Sequence, residues 1–207
     1  MGVKRERSTY RQEQAAATRQ RIASAARKLF RERGYGATSI ASIAAEAGVA
    51  EPTVYAVFGS KRSFLLALRQ QMHAEVELPR LTAEAKAAPD AQGKLEGWAR
   101  LLRRQMERSY DVIAAHREAA RVDPAAADEY RGVLDSRGGV MHELAADLAP
   151  DLAPDVDIRT ATDILWALSN EEIYRELVHE RGWPPSRYET WIADTLRQQL
   201  LGDTTSE

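Results

Sequence analysis

Histidine, cysteine and paired carboxylates are the side chains that proteins most often use for acid–base, nucleophilic and metal chemistry. This sequence offers few of them at useful spacing. It has no cysteine, which excludes disulfide scaffolds, Cys-based zinc sites and thiol nucleophiles together. Its four histidines, His73, His116, His142 and His179, lie far apart. His142-Glu143 lacks the following histidine that a zinc-protease helix requires. No Gly-rich phosphate loop and no nucleophile elbow occur, and the acid pair Glu171-Glu172 falls where a solvated face is expected. The expectation is a protein that is not an enzyme, with no catalytic residue, no metal and no cofactor.

The basic residues are distributed unevenly, and that carries more information. Residues 1–72 hold 13 Lys and Arg against 5 Asp and Glu, a net charge of +8. Residues 73–207 hold 16 against 26, a net of −10, so the overall −2 hides two opposite parts. Such a split points to a polyanion partner for the basic part, nucleic acid first and a membrane surface second. No apolar run approaches the roughly 18 residues of a membrane-spanning helix. The opening MGVKRERSTYRQEQ has no apolar core behind its charges, so it does not read as a secretory signal, and Glu6 breaks the Gly2 myristoylation pattern. A soluble, cytoplasmic protein without a membrane partner is expected.

The elements that position these charges are helices. Alanine occupies 35 of the 207 positions, while Gly (12) and Pro (8) total only 20, a balance that favours an all-α fold. The length allows one or two domains. Met1–Gln14 carries Lys4, Arg5, Arg7 and Arg11 without apolar periodicity and reads as a flexible basic tail, either simply solvated or an arm that contacts DNA. From Ala15 a helix is expected, with Ile22, Ala25, Ala26, Leu29 and Phe30 at helical spacing until Gly34. Thr38-Ser39 starts a second helix, with Ile40, Ile43, Ala44 and Ala47 inward and Gly48 as its stop. Pro52 suits the first turn of a short third helix over Thr53–Phe58, and Ser60 caps a fourth over about Lys61–Leu78. Two short helices joined by a tight Gly-containing turn form a helix-turn-helix pattern.

The stretch Thr18–Leu68 resembles the N-terminal DNA-binding domain of the TetR family of bacterial transcriptional regulators. The resemblance rests on Ala26, Leu29, Phe30, Gly34-Tyr35, Ile43-Ala44, Ala47-Gly48-Val49, Thr53-Val54-Tyr55, Phe58 and Ser60-Lys61 at linked spacings. It implies a helix-turn-helix DNA-binding domain over 15–60 behind the tail 1–14, then a helical effector-binding and dimerisation domain over 61–207. In such a domain the third helix lies in the major groove and presents Glu51, Pro52, Thr53, Tyr55 and Ala56. Thr53 offers a methyl and a hydroxyl for a thymine methyl or a phosphate, and the Tyr55 phenol can reach a phosphate oxygen. Lys61 and the free N–H groups at the start of its helix would form a phosphate site, and Ser39 a second. The plain alternatives are a half-buried corner for Tyr55 and simple caps for Ser39 and Ser60. Three departures limit the carry-over. Val57 stands where the family often has a polar residue, Glu51 brings a carboxylate that accepts from cytosine or repels phosphate, and Pro52 replaces the more usual glycine.

Beyond this stretch, Pro79 and Pro89 bracket a short helical piece. Helices are expected over about Ala91–Ser109 and Tyr110–Val122, and from Asp123-Pro124 to Leu148, with Gly138-Gly139 as a weak point. After the loop Ala149–Asp157 come a helix over Asp157–Arg181 and a last one opened by a Ser186/Glu189 capping box and ending near Leu201. These last two helices are apolar on more than one face, through Leu165 and Leu168, then Tyr188, Trp191, Ile192, Leu196 and Leu200. They are expected to pair with a second copy in a four-helix bundle, as the resemblance also implies; a larger intrachain core is the alternative. Trp98, Leu102, Met106, Tyr110, Met141, Trp166 and Asn170 are expected to line an effector pocket. The whole reads as a homodimeric, ligand-responsive regulator, a repressor released from a palindromic double-stranded DNA operator by an unknown small molecule, with the fourth helix as lever. A helical small-molecule carrier or interaction protein with a structural helix-turn-helix corner is the alternative.

Overall fold

Helices carry almost the whole chain in the computed structural model, which describes residues 2–201, with the backbone alone for 2–9 and 11. They are α1 (Gly2–Arg33), α2 (Ile40–Ala47), α3 (Glu51–Phe58), α4 (Lys61–Val76), α5 (Leu78–Lys86), α6 (Ala91–Val122), α7 (Pro124–Asp147), α8 (Ile158–Leu168), α9 (Glu171–Tyr174) and α10 (Pro185–Leu200). A 3₁₀ turn covers Ala149–Asp151, and a π-helical turn continues α9 over Arg175–Glu180. Among the described residues the extended pairing is an isolated antiparallel bridge between Leu152 and Leu201. The chain divides into two compact units, Met1–Gln71 with Asp111–Asp128, and Met72–Tyr110 with Glu129–Glu207.

In the first unit, α1 runs back to Gly2, well before the expected start at Ala15. Neither glycine nor proline interrupts residues 3–33, and the Arg, Glu, Gln and Ala that fill the segment are good helix formers. The backbone therefore continues as helix even without an apolar face. The side chains of Lys4, Arg5, Arg7 and Arg11 lie outside the described residues. Further along, Ile22, Ala26, Leu29 and Phe30 of α1, Ile43, Ala44 and Ala47 of α2, and Val54 and Phe58 of α3 are all buried. Gly34 (φ 81°) and Gly48 (φ 64°) end α1 and α2 in the left-handed region, where a side chain would be strained. Ser39 caps α2 reciprocally: its Oγ accepts from the Ser42 N–H and its own N–H donates to Ser42 Oγ, both at 3.1 Å. α3 begins at Glu51, earlier than expected, because Ala50 is extended and Pro52 fits the first turn.

The second unit departs further from expectation. One helix, α6, replaces the two expected over 91–122, since Ser109-Tyr110 contains nothing that breaks a helix. α7 passes through Gly138-Gly139 without interruption. The expected helix over 157–181 is broken at Ser169-Asn170, where Asn170 Oδ1 accepts from the Glu172 N–H and opens α9. The Ser186/Glu189 capping box does not form: α10 starts behind Pro184 with no side-chain cap, and Glu189 pairs with Arg103 instead.

Candidate nucleic-acid interface and the interior of the second unit

Val54 and Phe58 sit four residues apart on α3, so their burial turns the opposite face outward. That face exposes Glu51, Pro52, Tyr55 and Ala56, with Tyr55 51% exposed, while Thr53 is half-buried. Ser39 is exposed at the start of α2; its oxygen accepts within the cap and its hydroxyl proton remains available to an outside acceptor. The C-terminal end of α3 is held firmly. The Phe58 ring stacks on Phe64 with centroids 4.1 Å apart, and the Arg19 guanidinium lies 4.5 Å from the Phe58 centroid while donating to the Val57 carbonyl at 3.0 Å. Arg19, 38 residues from Val57, carries no local sign of this role in the sequence.

Lys61, expected to meet a phosphate, is turned toward the α1–α2 turn. Its Nζ donates to the carbonyls of Tyr35 (2.7 Å) and Thr38 (2.8 Å) and lies 4.1 Å from the Tyr35 ring centroid. Burial pushes its pKa below the ordinary lysine value, with the Glu118 and Asp123 carboxylates opposing. The ammonium is thus held by the turn between α1 and α2. The same turn is met by Glu118 of α6, which accepts from the Tyr35 N–H (2.8 Å) and the Gly36 N–H (2.9 Å). Asp111, also on α6, accepts from Arg27 of α1 in a bidentate pair at 2.7 and 2.9 Å. Separations of more than eighty residues hide both contacts from local sequence reading.

In the second unit, Trp98, Leu102, Met106 and Met141, expected to line an effector pocket, are buried, and Tyr110 is half-buried with its ring 5.4 Å from His179. Trp166 and Asn170 are not interior. Trp166 is 37% exposed and forms a face for the Arg137 guanidinium, 4.8 Å from its centroid, and Asn170 is exposed as the cap of α9. Trp166 lies off the buried Ala161–Leu165 stripe of α8, and the break at Ser169 makes Asn170 a helix cap. Buried polar groups that the sequence reading missed cluster here. Trp98 Nε1 donates to Ser169 Oγ at 3.2 Å, Arg137 donates to the Ser169 carbonyl, and Glu171 is buried. The Tyr174 and Tyr188 rings meet edge to face at 4.9 Å; burial pushes the Tyr174 phenol up to about 12 and also raises that of Tyr188. Tyr188 Oη and Ser109 Oγ are buried without a hydrogen-bond partner among the described residues.

The expected dimer face also changes. Leu165, Tyr188, Ile192, Leu196 and Leu200 are fully buried within the chain, so they are core and not a surface offered to a second copy. Tyr188, Ile192, Leu196 and Leu200 recur every four residues, which is the stripe a helix turns toward its own neighbours. Leu168 and Trp191 are half-buried and remain on the outside. Among the described residues no group of three or more His, Asp or Glu side chains could hold a metal ion, and no helix is long and apolar enough to cross a membrane.

A capped helix-turn-helix with α3 turned outward is the arrangement by which helix-turn-helix domains present a helix to the major groove of DNA. Residues 22–68 match the model of the bacterial regulatory proteins of the tetR family. Solved structures resemble it over nearly its full length. The fatty acid degradation regulator FadR from Bacillus halodurans superposes with a TM-score of 0.72 at 18% identity, covering 92% of this chain and 97% of that one. FadR from Bacillus subtilis, in complex with stearoyl-CoA, gives 0.68 at 18% identity over 86% and 96%. NalD, the secondary repressor of the MexAB-OprM multidrug efflux pump in Pseudomonas aeruginosa, gives 0.70 at 22% identity over 92% and 99%. At these identities the likeness establishes the fold. No curated protein matches the sequence significantly.

Proposed function

We propose that the protein is a cytoplasmic, homodimeric repressor, not an enzyme, that leaves a palindromic DNA operator when a small molecule binds its second unit. The observation that carries the reading is α3, whose exposed Glu51, Pro52, Tyr55 and Ala56 back onto a buried Val54–Phe58 core within the segment that matches the family model. Ser39, Glu51, Pro52, Thr53 and Tyr55 face the DNA, the hydroxyls positioning the protein on phosphates and α3 reading base edges. The effector meets the interior around Trp98, Leu102, Met106 and Met141, where Arg137, Tyr174 and Tyr188 add polar character to an apolar lining. The stearoyl-CoA bound by the Bacillus subtilis FadR supports a small-molecule site in this fold. A second copy packs on the outer faces of α8 and α10, through half-buried Leu168 and Trp191 together with Ile164. Effector binding then shifts the population toward a dimer whose recognition helices no longer match the half-site spacing.

The test is fluorescence anisotropy of the purified protein on DNA from upstream of its own gene, against a scrambled duplex, at two salt concentrations. Preference for the native fragment with a steep salt dependence is the expected result. Equal, salt-insensitive binding to both duplexes would overturn the reading.

A further inference from the structure

The turn between α1 and α2, Gly34–Thr38, sets the direction in which α2 and then α3 leave the first helix. Its backbone polar groups are covered from two sides by charged side chains distant in sequence. Lys61 takes the Tyr35 and Thr38 carbonyls, and Glu118 takes the Tyr35 and Gly36 N–H groups, at 2.8 and 2.9 Å. Two successive N–H groups aimed at one carboxylate make a small anion-binding nest. Gly34 is part of its construction. At φ 81° it permits the turn, and a Cβ placed on it would lie 2.8 Å from both Glu118 carboxylate oxygens. Asp111 stands two helical turns before Glu118 on the same face of α6 and grips Arg27 of α1 in a bidentate pair. α6 therefore holds α1 and its exit turn at two points.

We propose that Glu118 is a positioning residue for DNA reading, fixing the turn and through it Ser39, α2 and α3, without touching DNA itself. The inference rests on the DNA-binding reading above. What separates it from plain electrostatics is sign. Glu118 is an anion in the unit that holds the basic helix-turn-helix, so its charge alone opposes DNA, and neutralising it would strengthen binding to every duplex. Loss of the nest does the opposite to specific binding, because base contacts need α3 in register while phosphate attraction does not.

The experiment uses the full-length protein and a duplex selected by the wild type from a random-sequence pool, with a scrambled duplex as control. E118A is expected to bind the selected duplex roughly tenfold more weakly, while holding scrambled DNA as tightly as the wild type or more tightly. E118Q keeps one acceptor oxygen and is expected to recover part of the loss. Amide hydrogen exchange gives the second readout: the Tyr35 and Gly36 amides should exchange faster in E118A, with those of Ile22–Phe30 still protected. Undiminished binding of E118A to the selected duplex, or unchanged exchange at Tyr35 and Gly36, would overturn the proposal. Should E118A fail to fold, E118Q decides, since wild-type or stronger affinity for the selected duplex has the same overturning force. A wild type that selects no duplex would instead sink the DNA-binding reading, a distinct result.

Discussion

Ser39 and Tyr188 each bring a single hydroxyl to the beginning of a helix, and they meet opposite surroundings. Ser39 lies exposed, yet its oxygen is matched to the Ser42 N–H in a reciprocal cap. Tyr188 is fully buried, and its Oη has no partner among the described residues. The contrast extends to the groups around the two hydroxyls. Around the helix-turn-helix, Arg19 covers the Val57 carbonyl, Lys61 covers two carbonyls and Glu118 covers two N–H groups. In the second unit Ser109 Oγ is also unpartnered, and the helix is interrupted by the Ser169-Asn170 break and the π turn over Arg175–Glu180. Base reading needs a surface that is complete before DNA arrives. An interior that keeps unmatched polar atoms and irregular backbone, at about 1–3 kcal/mol for each buried orphan, is suited to be completed by something that comes later.

The comparison can be broken most severely at Phe58. This residue is buried, stacks on Phe64 and carries Arg19, so it joins three elements of the reading unit. Phe58→Ala should cost about 3–5 kcal/mol, measured by urea unfolding, and should abolish DNA binding. A loss below about 1 kcal/mol would show that α3 is not held by its core.

A paired measurement sharpens the contrast through the sign of the effect. Ser39→Ala removes a satisfied cap and should destabilise by about 1 kcal/mol. Tyr188→Phe removes an orphaned hydroxyl of the same kind and should stabilise the free protein by up to about 1 kcal/mol. Thermal or chemical denaturation of the two variants reads the outcome. Destabilisation by both would mean that the second unit's interior is as fully matched as the turn around Ser39.

The two units also differ in how far they can be read from residue order. Gly34, Ser39, Gly48 and Phe58 are legible because each acts on its near neighbours, through a cap, a left-handed stop or a fixed helical offset. Periodicity identifies the buried stripe Tyr188, Ile192, Leu196 and Leu200 correctly as buried, but it does not say against what. The stripe closes the chain's own core, and Trp191 beside it stays half-buried. Asn170 falls outside because the break at Ser169 is set by local capping within a segment of uniform helical pattern, and Trp166 because it lies off the buried Ala161–Leu165 stripe of α8. Glu118, Asp111 and Arg19 leave no trace, since a charge on a helix looks solvated until the fold brings its partner.

The smallest expected effect is the most discriminating, and it concerns Lys61. Its ammonium is held by two carbonyls and the face of Tyr35, in a position that burial makes less favourable for its charge. If it remains there in the complex, it releases no counterion from DNA. Lys61→Met should then weaken binding modestly, through a looser turn, while the slope of log K against log salt stays unchanged. A lysine that neutralises a phosphate contributes about 0.9 to that slope, so anisotropy at several salt concentrations separates the two roles. A slope that falls by about one would mean that Lys61 abandons the turn when DNA arrives. The reading surface would then be completed by its ligand, as proposed here for the interior of the second unit, and the difference between the two regions would be one of degree.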